Sequence, residues 1–261
     1  PSIFCGGSLI SRKHVVTAGH CVIDQEKDSL KVVLDATDAF EEGKEFDVKE
    51  FQIHPNFAPP KAYFDIAIIE LGTLVSPLDF LNIFPICIPK QAQVVDSWKG
   101  QPVVVTGYGS KPGKESTVIH YASLEVLEQK ECAKKHFDDL IGKQFEARRD
   151  QVQRFLSKEM KITNELLCTI SRSEELGTCP GDSGGPLTIF DKKSKRFLLI
   201  GAVRGSANEC SDLEFPSLFA RLEDYEILKF VRKQAFGEDI LEPDGIRVCE
   251  KSNPCQNGAV C

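Results

Sequence analysis

Short runs of apolar and β-branched residues recur along the chain, among them Leu30 to Leu34, Ile66 to Leu71, Pro102 to Thr106 and Phe197 to Val203. Turns carrying Gly, Pro or Asp separate many of them, so these runs are predicted strands. Regular strands without alternating helices point to an all-β barrel or sandwich rather than an α/β sheet. Two segments depart from this pattern. In Glu223 to Phe236, Tyr225, Leu228, Val231 and Ala235 fall at helical spacing and Gly237 follows, which predicts a helix with a glycine stop. Residues 133–161 place Phe137, Ile141, Phe145, Val152, Phe155 and Leu156 among many charges. That segment reads as an amphipathic helix or helical hairpin, a solvated insertion with one packed face.

Composition narrows the class. The 261 residues are 41% hydrophobic, enough for one or two ordinary cores. The formal net charge of -7 gives no general attraction for nucleic acid or an anionic membrane. No apolar run reaches membrane-spanning length. The ten cysteines are scattered rather than set in two C-x-x-C pairs, which favours disulfides in an oxidising, extracellular compartment over zinc. The chain opens at Pro1 without a methionine and already in a strand-like segment. It is read as a processed piece whose secretion signal lay upstream. After Gly237 the acidic, Pro-containing stretch suits a linker over 237–248. The three cysteines at 249, 255 and 261, with a Pro-Cys-x-Asn-Gly turn, resemble the first half of an EGF-like module.

Three segments carry candidate chemistry. Gly181-Asp182-Ser183-Gly184-Gly185-Pro186 sets a serine among glycines, which permit a tight turn and close approach of backbone N–H groups to a developing oxyanion. Upstream lie Thr17-Ala18-Gly19-His20-Cys21 and Phe64-Asp65-Ile66, the latter an Asp opening an apolar strand. Alone, each has a bland reading as a structural turn or surface residue. Together they supply a nucleophile, a base and a group to orient the base.

These motifs, in the order His, Asp, Ser, resemble the chymotrypsin/trypsin family of serine proteases. Cys-Gly-Gly-Ser-Leu at 5–9 and Gly107-Tyr-Gly109 add to the resemblance, which covers roughly residues 3–236. It implies two six-stranded antiparallel β-barrels with the active site between them, a C-terminal helix, and a protease domain spanning 1–236. It implies Ser183 as nucleophile, His20 as general base, Asp65 as its orienter, and the N–H groups of Gly181 and Ser183 as oxyanion hole. Disulfides implied are Cys5–Cys21, Cys132–Cys168 and Cys179–Cys210, with Cys249–Cys261 in the EGF-like segment. Cys255 is left without a partner there. Cys87 sits where relatives often bridge to an upstream segment.

Three departures qualify the resemblance. The family's freed Ile or Val ammonium, which pairs with the acid before the catalytic serine, here Asp182, is missing. Asp182 is therefore expected to point elsewhere and leave the oxyanion loop unformed, and the first strand of the N-terminal barrel is expected to be lost. At the family's Ser-Trp-Gly segment the ungapped match places Arg204, Gly205 and Ser206, while a one-residue gap places Val203 first. Either removes a hydroxyl from Asp65. The specificity-pocket floor is Gly177, followed by Thr178 and Pro180, and Ser206 and Ser217 occupy flanking positions expected to narrow the slot. A neutral floor does not compensate a buried Lys or Arg. Carboxylates at Glu209, Asp212 and Glu214 lie nearby in sequence. Asp35, Asp38, Glu41, Glu42 and Glu45 crowd a loop where some relatives bind calcium, and are read as solvated charge. No metal or cofactor is implied.

The expectation is a secreted serine endopeptidase made as a zymogen, with protein or peptide substrates, an activating protease and inhibitors as partners. The alternative is a protease homologue that keeps the fold and acts as a binding cofactor or adaptor.

Overall fold

The computed structural model describes residues 3–38, 43–59, 63–76, 79, 82–110, 117–141, 163–171, 177–192, 194–206, 210 and 215–237. The strands in chain order are β1 (Ser8–Leu9), β2 (His14–Thr17), β3 (Lys31–Leu34), β4 (Lys44–Ile53), β5 (Ala67–Leu71), β6 (Pro102–Gly107), β7 (His120–Val126), β8 (Leu166–Ser171), β9 (Pro186–Asp191), β10 (Arg196–Ser206) and β11 (Ser217–Arg221). Helices α1 (Gln129–Ile141) and α2 (Tyr225–Phe236) complete the described elements, with short 3-10 turns at Gly19–Cys21 and Lys27–Ser29. The first five strands form an open antiparallel sheet in the order β1-β2-β5-β4-β3. The last six close into an antiparallel barrel, β10-β11-β8-β7-β6-β9. The fold is thus the expected double-barrel architecture, with the N-terminal unit a five-stranded half-barrel among the described residues.

Strand β5 explains how the two halves meet. It is buried along most of its length, and its sequence is apolar except for Glu70, which is half-buried. Because alternate side chains face opposite sides, Ala67, Ile69 and Leu71 enter the core of the N-terminal sheet with Phe46, Val48 and Val75. Ile66 and Ile68 face the other way, into a cluster with Leu199, Leu222 and residues of α2. A third cluster, including Val103, Leu124, Leu187 and Phe219, fills the closed barrel.

Helix α2 begins two residues later than predicted, at Tyr225. The Asp224 carboxylate accepts from the N–H groups of Glu226 (3.0 Å) and Ile227 (3.3 Å), satisfying two orphan donors of the first turn. Gly237, at φ 66°, ends the helix in the left-handed conformation that glycine takes without a Cβ clash. Ile227, Leu228, Phe230 and Val231 are buried, each contributing about 1.5–3 kcal/mol of apolar burial. Helix α1 starts at Gln129, four residues before the segment predicted to be helical. Residues 142–161 of that insertion lie outside the described residues, as do 238–261 with the EGF-like segment and the expected Cys249–Cys261 pair. Among the described residues no helix is long and apolar enough to cross a membrane.

Candidate active site

His20 sits in the 3-10 turn after β2, and Asp65 two residues before the start of β5, the partner strand of β2. This pairing brings together two residues 45 apart in sequence. The Asp65 carboxylate accepts twice from His20: from its backbone N–H at Oδ1 (2.9 Å) and from ring Nδ1 at Oδ2 (2.7 Å). With the carboxylate as acceptor, the proton belongs on Nδ1, which leaves Nε2 free to act as a base. The Asp65 side chain is fully buried, whereas the imidazole is 37% exposed.

Asp65 is the middle residue of a tight three-residue turn, in which the Ile66 N–H donates to the Phe64 carbonyl at 2.8 Å. Phe64 holds φ at 52°, a left-handed value uncommon for a bulky side chain. Its ring stacks on His54, with centroids 4.7 Å apart and planes 8° from parallel. This support for Asp65 had no signal in the sequence beyond a histidine near the end of a strand.

Ser183 lies between β9 and the Cys179 turn, half-buried, and its carbonyl accepts from Gly6 N–H at 2.7 Å. Among the described residues no hydrogen bond joins Ser183 Oγ to His20, whose Nε2 lies 3.8 Å from Cys21 Sγ. Such bonds are commonly long before substrate is bound. Gly181 has φ 96°, a backbone that an L side chain rarely adopts.

Asp182 differs from its expectation. Instead of turning away it is 7% exposed, and its carboxylate accepts from Gly109 N–H and Cys179 N–H, both at 2.8 Å. Two backbone donors make an inward carboxylate tolerable, so the loop keeps its turn. Burial pushes its pKa up, against the two donors and the field of His120. A Cβ on Gly109 would run into this carboxylate, which accounts for Gly-Tyr-Gly at 107–109.

Arg204 is the extra residue of a β-bulge in β10, where the register jumps between Val203 and Gly205. Burial lowers its pKa, opposed by Asp65, Glu165 and Tyr63, so its guanidinium stands in the field of the Asp65 carboxylate. Glu165, 4% exposed before β8, has its own pKa raised by burial. Gly205 adopts φ 141°. Ser206 and Ser217 are register partners across β10 and β11. Ser217 is 2% exposed and its hydroxyl accepts from the Thr178 hydroxyl at 2.9 Å, so it is turned into the packing beside Thr178 rather than into open space. Gly177 is half-buried and Pro180 exposed. Glu209, Asp212 and Glu214 lie outside the described residues.

Cys5–Cys21, Cys132–Cys168 and Cys179–Cys210 are disulfide-bonded, and Cys87 is buried. Cys5, His20 and Cys21 offer three potential metal-ligand atoms within 4.8 Å of one another, but the two sulfurs are bonded to each other. In the acidic loop, Asp35 accepts from the Asn82 amide (3.2 Å) and Asp38 from the Thr117 hydroxyl (2.8 Å).

A closed antiparallel barrel beside a half-barrel, with an imidazole–carboxylate pair and a serine followed by two glycines, matches a chymotrypsin-like serine-protease class. The Trypsin family profile matches residues 1–228, and the chain belongs to that family. It is 28% identical over 242 residues to the clotting factor G beta subunit of Tachypleus tridentatus, covering 90% of this chain and 72% of that protein. It is 27% identical over 237 residues to the proclotting enzyme of the same organism, covering 86% of this chain and 57% of that protein. It is also 28% identical over 223 residues to trypsin 5G1 of Aedes aegypti, covering 85% of this chain and 72% of that protein.

Proposed function

We propose that this chain carries the catalytic domain of a secreted serine endopeptidase, made as a zymogen and cleaving after small or medium uncharged side chains. The observation that carries the reading is the two-point hydrogen bond between His20 and Asp65, which orients the imidazole with Nδ1 donating to the carboxylate and turns Nε2 away from it. Ser183 Oγ attacks the scissile carbonyl carbon, and its proton passes to His20 Nε2. The oxyanion is stabilised by the N–H groups of Gly181 and Ser183. The tetrahedral intermediate expels the amine, which takes the proton from Nε2, and leaves an acyl-enzyme. Water repeats the sequence and frees the acid. Asp65 stabilises the imidazolium that forms in both halves. The neutral Gly177 floor and the Ser217–Thr178 wall support an uncharged preference. In this reading 1–236 is the protease domain, 237–248 a linker and 249–261 the start of an EGF-like module. A relative named as a proclotting enzyme supports a precursor form for this chain, and activating cleavage would supply the cation that Asp182 pairs with.

The test is turnover of a peptide amide by the cleaved, activated protein and its variants. Ser183→Ala and His20→Ala should each abolish it, and the double variant should be hardly worse, because the groups act as one unit. Independent, multiplying losses would contradict the assignment. A second reading, a homologue that binds without cleaving, draws on Arg204, whose cation stands in the field of Asp65. Under it the activated wild type is inert and Arg204→Ser gains turnover.

A further inference from the structure

His54 lies at the end of β4, 3% exposed, and touches both sides of Asp65. Its backbone N–H donates to the carbonyl of Ile66, the residue after Asp65, at 3.0 Å. Its ring stacks face to face on Phe64, the residue before Asp65. The ring also meets Phe230 of α2 in an edge-on arrangement, centroids 5.0 Å apart and planes 65° from parallel. The imidazole is also fixed in one tautomer. Nδ1 accepts from the Asn56 backbone N–H at 3.2 Å, so the ring proton is on Nε2, which faces the Glu226 carbonyl at 3.4 Å. A second proton would have to go on Nδ1, pointing at an N–H donor.

From this geometry we propose that His54 is a positioning residue for the triad: as a neutral ring stacked on Phe64 and braced by Phe230, it holds Phe64 in its left-handed backbone and so aims Asp65 at His20, and protonation releases that hold. The proposal rests on the serine-protease reading of the site. A left-handed Phe persists only where its surroundings enforce it, and here the enforcing surface is the imidazole face. The charged groups facing His54 across the packing are Glu226 and Asp224 at the start of α2, which favour a proton. Burial outweighs them and lowers the pKa below the usual 6.5. A folded-state pKa below the unfolded one means that the neutral clamp is fully present above 6.5 and is lost as pH falls through the lowered value.

The test compares the activated full chain with its His54→Ala and His54→Phe variants. Two readouts are used: steady-state hydrolysis of a peptide amide across pH, and the NMR signal of the His20 Nδ1 proton shared with Asp65. His54→Ala should lower kcat roughly tenfold or more with little change in KM, since a small misaim of a reacting group is costly, and should broaden the Nδ1 signal. His54→Phe, which keeps the stack but cannot titrate, should recover most of kcat and sharpen the signal. On the acid side kcat/KM should fall with two protons in the wild type and with one in His54→Phe. Unchanged kcat and signal in His54→Ala would overturn the proposal. So would equal damage in both variants, or an identical acid limb in the wild type and His54→Phe. If His54→Ala does not fold, the acid limb and the Nδ1 signal of His54→Phe decide alone. If no form cleaves peptides, the Nδ1 signal still tests the positioning, and only the protease reading falls.

Discussion

Replacing Glu223 by glutamine removes one titrating proton from the joint between α2 and the loop at 93–98. Glu223 is 1% exposed, directly before the Asp224 cap. Its carboxylate accepts from Trp98 Nε1–H and from the Ser97 hydroxyl, and its carbonyl accepts from Gln93 N–H at 3.0 Å. Arg221, the nearby cation, gives its guanidinium donors to the carbonyls of Asn164, Gln93 and Val94. Burial therefore dominates and raises the Glu223 pKa from 4.5 to about 7, against Trp98, Arg221 and Ser97. With the folded pKa above the unfolded one, the stabilisation from holding the proton is complete below 4.5. It is lost as pH rises through about 7. The shift corresponds to about 3 kcal/mol across that window. Glutamine keeps an oxygen for Trp98 and does not titrate, so Glu223→Gln should gain on the wild type by about 3 kcal/mol between pH 4.5 and 8. Equilibrium urea unfolding with the disulfides intact measures this, and the fluorescence of the single tryptophan reports it from the site itself. Parallel curves for the two proteins, or a difference growing as pH falls, would refute the reasoning.

Asp224→Ala should destabilise the fold by about 1 kcal/mol, read from the unfolding midpoint, because two N–H groups of α2 lose their acceptor. Gly109→Ala should drive a Cβ into the Asp182 carboxylate and break its paired hydrogen bonds. The expected result is a loss of about 1–3 kcal/mol in thermal unfolding together with a fall in amidase activity. A positional-scanning peptide library on activated protein should show an uncharged preference before the scissile bond. That preference is expected to be broad, since one methylene discriminates by roughly 1–3 kcal/mol. Dominant cleavage after Arg or Lys would instead place a carboxylate in the pocket, with Glu209, Asp212 and Glu214 the residues to mutate.

Much of the fold was legible because it is written locally. The apolar run at 66–71 became a strand buried on both faces, and the spacing before Gly237 became α2 with that glycine as its stop. The His and Asp motifs, far apart in sequence, meet because their strands pair. What was not legible depends on residues that meet only across the folded chain. Nothing around Glu223 announces that Trp98, 125 positions away, will bury it. Nothing around His54 announces Phe230. Asp182 was expected to point elsewhere because sequence shows missing charges but not available backbone donors, and Gly109 and Cys179 supply two. The start of α1 was misplaced by four residues because Cys132, fully buried and bonded to Cys168, anchors a turn whose charged neighbours show little periodicity.

The central claim is that Ser183 is a nucleophile activated by His20. Labelling with a serine-reactive fluorophosphonate tests it most directly, using the complete protein after activating cleavage and locating the adduct by peptide mass. The expected result is one adduct per chain, on Ser183, lost in Ser183→Ala and strongly reduced in His20→Ala. An activated protein that takes no label, labels elsewhere, or labels Ser183 equally well without His20 would contradict the account.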